Sequence, residues 1–124
     1  TASLVRGDAV ALPFRDGAFD GVHCVAPIPH LPTEGERRQS IADVARVLRP
    51  NGLFLASAWA HDQDRFRSGP VDVSVPWRRS GGQAVPRFYH LFRSGELDDL
   101  ARAAHLAVLR SWREGDNCVI LARR

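Results

Sequence analysis

Two apolar runs, "DGVHCVAPI" at 20–28 and "LFLASAWA" at 53–60, enclose a helix that the sequence punctuates at both ends. Thr33 and Glu36 have the spacing of a capping box, in which the threonine caps the turn that the glutamate closes. Ile41, Val44, Ala45 and Leu48 follow at helical spacing and give one apolar stripe. Pro50-Asn51-Gly52 ends it. Pro27 and Pro29 stop the first run, which reads as a mostly buried strand. The second is apolar almost throughout, as a strand covered on both faces should be. This alternation makes the chain an α/β protein.

The flanking segments extend the pattern. "ASLVRGD" is a strand-like run ending at Asp8, and "LPFRDGAFD" is turn material. Residues 61–86 hold no sustained period, and an excursion of that length is usually functional or disordered. Ser94 can cap a helix carrying Leu97, Leu100, Ala101 and Ala104, with His105 near its C-terminal dipole. "AVLRSWRE" and "DNCVILARR" read as a hairpin about Gly115-Asp116.

At 124 residues the chain is one domain's worth, and no apolar run approaches the roughly 20 residues of a membrane span. Cys24 and Cys118 sit in apolar runs without CxxC spacing, so buried free thiols in a reducing compartment, the cytoplasm, are expected rather than a zinc site. The chain has no methionine, from which a fragment or processed piece is expected. All seventeen basic residues are arginine, and codon usage is the plain explanation. Their placement is nevertheless uneven. Residues 61–93 hold Arg65, Arg67, Arg78, Arg79, Arg87 and Arg93 against Asp62, Asp64 and Asp72, a surplus that equals the whole net charge of +3. A local arginine excess suits phosphate or carboxylate binding.

In an open α/β sheet, ligands sit outside the carboxyl ends of the strands. Asp8, His30 and Trp59 all fall there. Each alone is unremarkable, as a turn former, a surface histidine or a core tryptophan. Three at one sheet edge make a candidate site. The run "RFYHLFRSGEL" at 87–97 adds three aromatics, a histidine and two arginines before the last helix. Leu91 and Phe92 read as packing residues, whereas Arg87, Tyr89 and His90 need another account.

"GDAVALPFRDGAFDGV", "RVLRPNGLFLASAWA" and the closing hairpin resemble the C-terminal part of a class I S-adenosylmethionine (SAM)-dependent methyltransferase. The implied fold is a partial Rossmann-like sheet, strands three to seven, with the hairpin as six and seven. The likeness sharpens to the eukaryotic-type tRNA wobble-uridine carboxymethyl methyltransferases. They carry runs similar to "CVAPIPHLPTEGERR", to "VPW" at 75–77, and to the stretch from Arg87.

The resemblance implies that Asp8, beside the backbone of Ala9, bonds the adenine of SAM. Arg87 would grip the carboxylate of a carboxymethyl group, and Tyr89 or Phe88 would stack on the uracil. Trp59, Arg78, Arg79 and His90 would bind substrate or RNA phosphates. His30 matches the second histidine of a paired motif whose first member is Pro29 here, and it would orient the carboxylate or hold a proton. No GxGxxG-like loop occurs among the ten glycines, so the SAM site on this chain is incomplete and weak SAM binding is expected. A small zinc-binding activator subunit is an implied partner beside tRNA. Without the family's first two strands, the edge beside "DGVHCVA" lies open. It is closed by "SLVRGD", by a partner chain or, as favoured, by self-association. The competing functions are a non-catalytic RNA- or protein-binding remnant and a methyltransferase for another small acid.

Overall fold

The computed structural model describes residues 2–25, 27–78 and 80–124. Strand β1 (Phe19–Val25) leads through a single 3-10 turn (Ile28–His30) into helix α1 (Glu34–Val47), and β2 (Leu48–Trp59) returns parallel to β1. A ribbon of β3 (Asp72–Arg78) and β4 (Ala84–His90) follows, then α2 (Glu96–Ala103) and the hairpin β5 (Ala107–Glu114) and β6 (Asn117–Arg123). The main sheet has the order β1-β2-β6-β5, with β6 antiparallel to both neighbours, and β3-β4 form a separate two-stranded sheet.

The capping box of α1 is in place. Thr33 Oγ1 accepts the Glu36 N–H at 3.1 Å and donates to Glu36 Oε1 at 3.0 Å, satisfying a helix-end donor that has no intrahelical partner. Ile41, Val44, Ala45 and Leu48 all enter the core. α1 ends at Val47, before the expected Pro50-Asn51-Gly52 stop, and β2 begins at once. Asn51, in the left-handed region at φ 68°, and Gly52 lie within β2, where its register with β1 shifts. A Cβ on Gly52 would stand 2.9 Å from the Arg49 carbonyl and 3.1 Å from that of Asp20, so only glycine lets β1 and this part of β2 close up. The Gly115-Asp116 turn joins β5 to β6 as the sequence predicts, with Glu114 opposite Asn117.

Both helices cover one face of the sheet. Phe54, Ala56 and Ala58 of β2 meet Ile28, Ile41, Leu97, Leu100 and Ile120 there. The other face is open, with Leu53 of β2 43% exposed, so β2 is covered on one side and not on two. β1 is likewise less buried than its apolar run suggests, because it is the edge strand.

Three further expectations are corrected. "ASLVRGD" is not a strand: residues 2–7 are exposed and form no ladder among the described residues, and Leu4 is 95% exposed. They therefore do not close the outer edge of β1. Residues 61–86 are not structureless, since β3 and the start of β4 lie within them. Finally, α2 is not capped by Ser94. Gly95, at φ 85°, holds the N-cap position without a side-chain bond, while Glu96 Oε1 accepts the Arg93 N–H at 3.1 Å. Among the described residues no helix is long and apolar enough to cross a membrane.

Candidate active site

Because β1 and β2 run parallel, their carboxyl ends open at the same sheet edge. The turn after β1 delivers His30 to that edge, and Trp59 ends β2. The ribbon is then pinned over them by backbone bonds: Phe92 N–H donates to Trp59 O at 2.8 Å, His61 N–H to Phe92 O at 2.9 Å and Leu91 N–H to Val71 O at 2.7 Å. Leu91 and Phe92 are fully buried, which anchors the ribbon's base.

This placement brings Tyr89 against both edge residues. Its ring stacks on Trp59 at 4.8 Å between centroids with 25° between planes, and meets His30 at 4.4 Å. Phe66 extends the aromatic wall on the far side of Trp59, at 5.8 Å. The His30 ring has one nitrogen engaged, Nδ1 lying 2.9 Å from the Phe88 carbonyl. A carbonyl only accepts, so Nδ1 carries the proton and Nε2 is the nitrogen left for a ligand.

Two concavities adjoin this cluster. A cavity of about 240 Å³ is lined by Val25, Pro29, Ser57, Trp59, Tyr89 and Asn117, directly beyond the strand ends. A groove of about 570 Å³ lies along the ribbon, lined by His30, Trp77, Val85, Pro86, Arg87 and Phe88. The Arg87 guanidinium rests over the Trp77 ring, 4.4 Å from its centroid. Stacking uses the flat face of the guanidinium and leaves its in-plane N–H donors free for a planar anion.

Of the residues singled out by sequence, His30, Trp59, Arg87 and Tyr89 therefore converge. Asp8 and Ala9 line neither concavity. Asp8 is exposed, and its Oδ1 accepts the Val10 N–H at 3.0 Å within its own turn. Arg78 is exposed at the outer end of β3, and Arg79 lies outside the described residues.

His90 is not at the substrate mouth. It is 6% exposed and both ring nitrogens are taken, Nδ1 by Asp72 Oδ1 at 2.7 Å and Nε2 by Glu96 Oε2 at 2.5 Å. No ring nitrogen remains for a ligand. Burial pulls its pKa down, but the Glu96 and Asp72 carboxylates outweigh burial and leave it raised. Glu96 is correspondingly lowered: burial opposes the ionised form, and the bonds from His90 and the Arg93 N–H win. The trio ties β3, β4 and α2 together. Neither thiol has the character of a nucleophile, since burial pushes Cys24 up to about 11 and also raises Cys118.

The site includes residues that sequence reasoning passed over. Trp77 drew notice only as part of "VPW", and Phe66, Ser57 and Asn117 drew none. An aromatic in a segment without apolar period was the available signal for Trp77 and Phe66.

Comparison with known proteins accords with this geometry. Residues 1–56 match a family model described as a methyltransferase domain. A tRNA (carboxymethyluridine(34)-5-O)-methyltransferase from Schizosaccharomyces pombe is 30% identical over 145 aligned positions, covering 98% of this chain and 64% of that protein. The chain thus spans under two thirds of that relative's length. Among solved structures, a SAM-dependent methyltransferase from Methanosarcina mazei superposes with a TM-score of 0.76 at 20% identity, covering 95% of this chain and 65% of the other. A 1,6-didemethyltoxoflavin-N1-methyltransferase from Burkholderia thailandensis, solved with that substrate and S-adenosylhomocysteine, gives 0.70 at 22% identity, covering 97% and 49%.

Proposed function

We propose that this chain, a homologue of the class I SAM-dependent methyltransferases, forms the substrate side of an enzyme that esterifies the carboxymethyl group of a tRNA wobble uridine. The observation that carries the reading is the convergence of Arg87, His30, Tyr89 and Trp59 at the carboxyl edge of β1 and β2. An aromatic wall and a free planar cation suit a nucleobase bearing a carboxylate.

The residues present fit part of SAM. Asp8 keeps its carboxylate in solvent with only Oδ1 engaged in its own turn, so the other oxygen is available to an adenine amino group beside Ala9. SAM, when bound, supplies an electrophilic methyl group. Everything else asked of these residues is positioning, because a carboxylate oxygen is already a nucleophile at neutral pH and needs no general base. Arg87 would hold that carboxylate by its in-plane donors. His30 Nε2, the imidazole tautomer being fixed by Phe88, would orient the group when protonated or exclude water when neutral. Tyr89 and Trp59 would hold the uracil ring.

tRNA as substrate and a small zinc-binding subunit as activator belong to the same proposal, as does a cytoplasmic location. So does association at the open edge of β1, where a second copy is the favoured occupant. Sedimentation of the chain at micromolar concentration tests that last point, and a stable monomer would rule it out. The function itself is tested by nucleoside analysis of tRNA from cells with the gene disrupted. The free carboxymethyl form should accumulate at the wobble position at the expense of its ester, and unchanged ester levels would refute the reading.

A further inference from the structure

We propose that the outer half of the β3–β4 ribbon is a single-stranded RNA platform on which Trp77 stacks an unpaired base next to the target nucleotide. This deepens the tRNA reading and rests on it. Trp77 and Val85 are register partners, so they share one ribbon face, and they are 40% and 55% exposed. One flank of the ring is taken by Arg87 at 4.4 Å. Together they present an aromatic surface with a cation fixed beside it.

The cation beside the ring is Arg87, on the same ribbon face; Arg78 and Asp72 lie on the opposite face, where Asp72 is turned to His90 at the ribbon's base. An aromatic surface flanked by an arginine is what sequence-tolerant binding of single strands uses, because every base offers a π-face and the cation adds to the stacking. A protein partner of the same patch would be expected to bring an acid to the arginine, but would have no need of the tryptophan's flat face.

Position within the groove indicates which nucleotide is bound. His30 lines the groove with Trp77 and also meets Tyr89, which lines the smaller cavity at the strand ends. The groove therefore adjoins the target uridine's site, shares His30 and Arg87 with it, and runs on from there to Trp77. Its volume of about 570 Å³ is in the range of cavities that hold small ligands.

The test is fluorescence anisotropy of the full-length protein with a labelled, unstructured oligouridine RNA. Trp77→Leu keeps apolar bulk without a π-face, and Trp77→Phe keeps a smaller one. Trp77→Leu and Trp77→Ala should weaken binding by roughly ten- to a hundredfold, while Trp77→Phe retains most of it. Unchanged affinity in Trp77→Leu overturns the platform and assigns the patch to a protein contact. Methyl transfer to tRNA by the same variants keeps the two claims apart. Transfer that persists beside unchanged RNA affinity overturns the platform alone. RNA affinity that falls in Trp77→Leu, while the unsubstituted protein transfers no methyl group to tRNA, supports the platform and overturns the methyltransferase reading.

Discussion

Arg87 carries more of the proposed chemistry than any other side chain, and its neighbours explain why it is free to do so. It is half-buried, faces Val75 across the ribbon, and has no carboxylate partner among the described residues. Several other arginines of the chain are committed to ion pairs or carbonyls. Arg46, for example, bonds Asp43, Asp16 and the carbonyls of Leu12 and Phe14, which fastens the loop before β1 to α1. Arg87→Ala should thus leave thermal stability within about 0.5 kcal/mol, since it removes one surface stack. It should lower kcat/KM on the carboxymethyl substrate by roughly a hundredfold, the worth of a charge-assisted hydrogen-bond pair. Arg87→Lys keeps the charge but loses the bidentate fork, and should recover only part of the loss. Steady-state kinetics beside a melting curve separates the two effects. A variant with native kinetics would remove Arg87 from the site.

At the scale of elements, the Asp72–His90–Glu96 trio adds a side-chain latch between the ribbon and α2 to the backbone bonds that pin the ribbon's base. Its pH dependence follows from the directions of the two shifts. His90 is raised above its ordinary 6.5, so its contribution is complete below that value and is lost as pH rises through the raised one. Glu96 is lowered from its ordinary 4.5, so its contribution is complete above that value and is lost as pH falls through the lowered one. Stability should therefore peak between pH 4.5 and 6.5 and decline on the alkaline side. His90→Gln should flatten the alkaline decline in melting temperature. An alkaline limb identical in the two proteins would contradict the latch.

Legibility divided along the same line. The capping box and the two-residue hairpin turn were readable because neighbouring residues determine them. The ribbon was not. "AVPRFYH" shows no apolar alternation. "DVSVPWR" does alternate at Val73, Val75 and Trp77, but the run is short, and Pro76 and Pro86 read as breakers although they are register partners. The role of His90 depends on partners 18 and 6 positions away, which no local pattern reports. "ASLVRGD" failed in the opposite sense. Its composition suits a strand, but a strand also needs a neighbour to bond.

For the whole molecule, the chain superposes on two solved structures with TM-scores of 0.76 and 0.70, while the identity with them is only 20% and 22%. Their fold is shared; their substrates are not thereby transferred. In this chain the ribbon is laid across the carboxyl edge so that one histidine, one arginine and an aromatic wall face the same opening. The central claim is that this opening receives a carboxylate on a tRNA base. The most direct measurement uses the full-length protein, methyl-labelled SAM and tRNA carrying 5-carboxymethyluridine at the wobble position. The account predicts label on that nucleoside, released by mild alkali as an ester must be, and none on tRNA carrying unmodified uridine there. Alkali-stable label, or equal labelling of the two tRNAs, would contradict it.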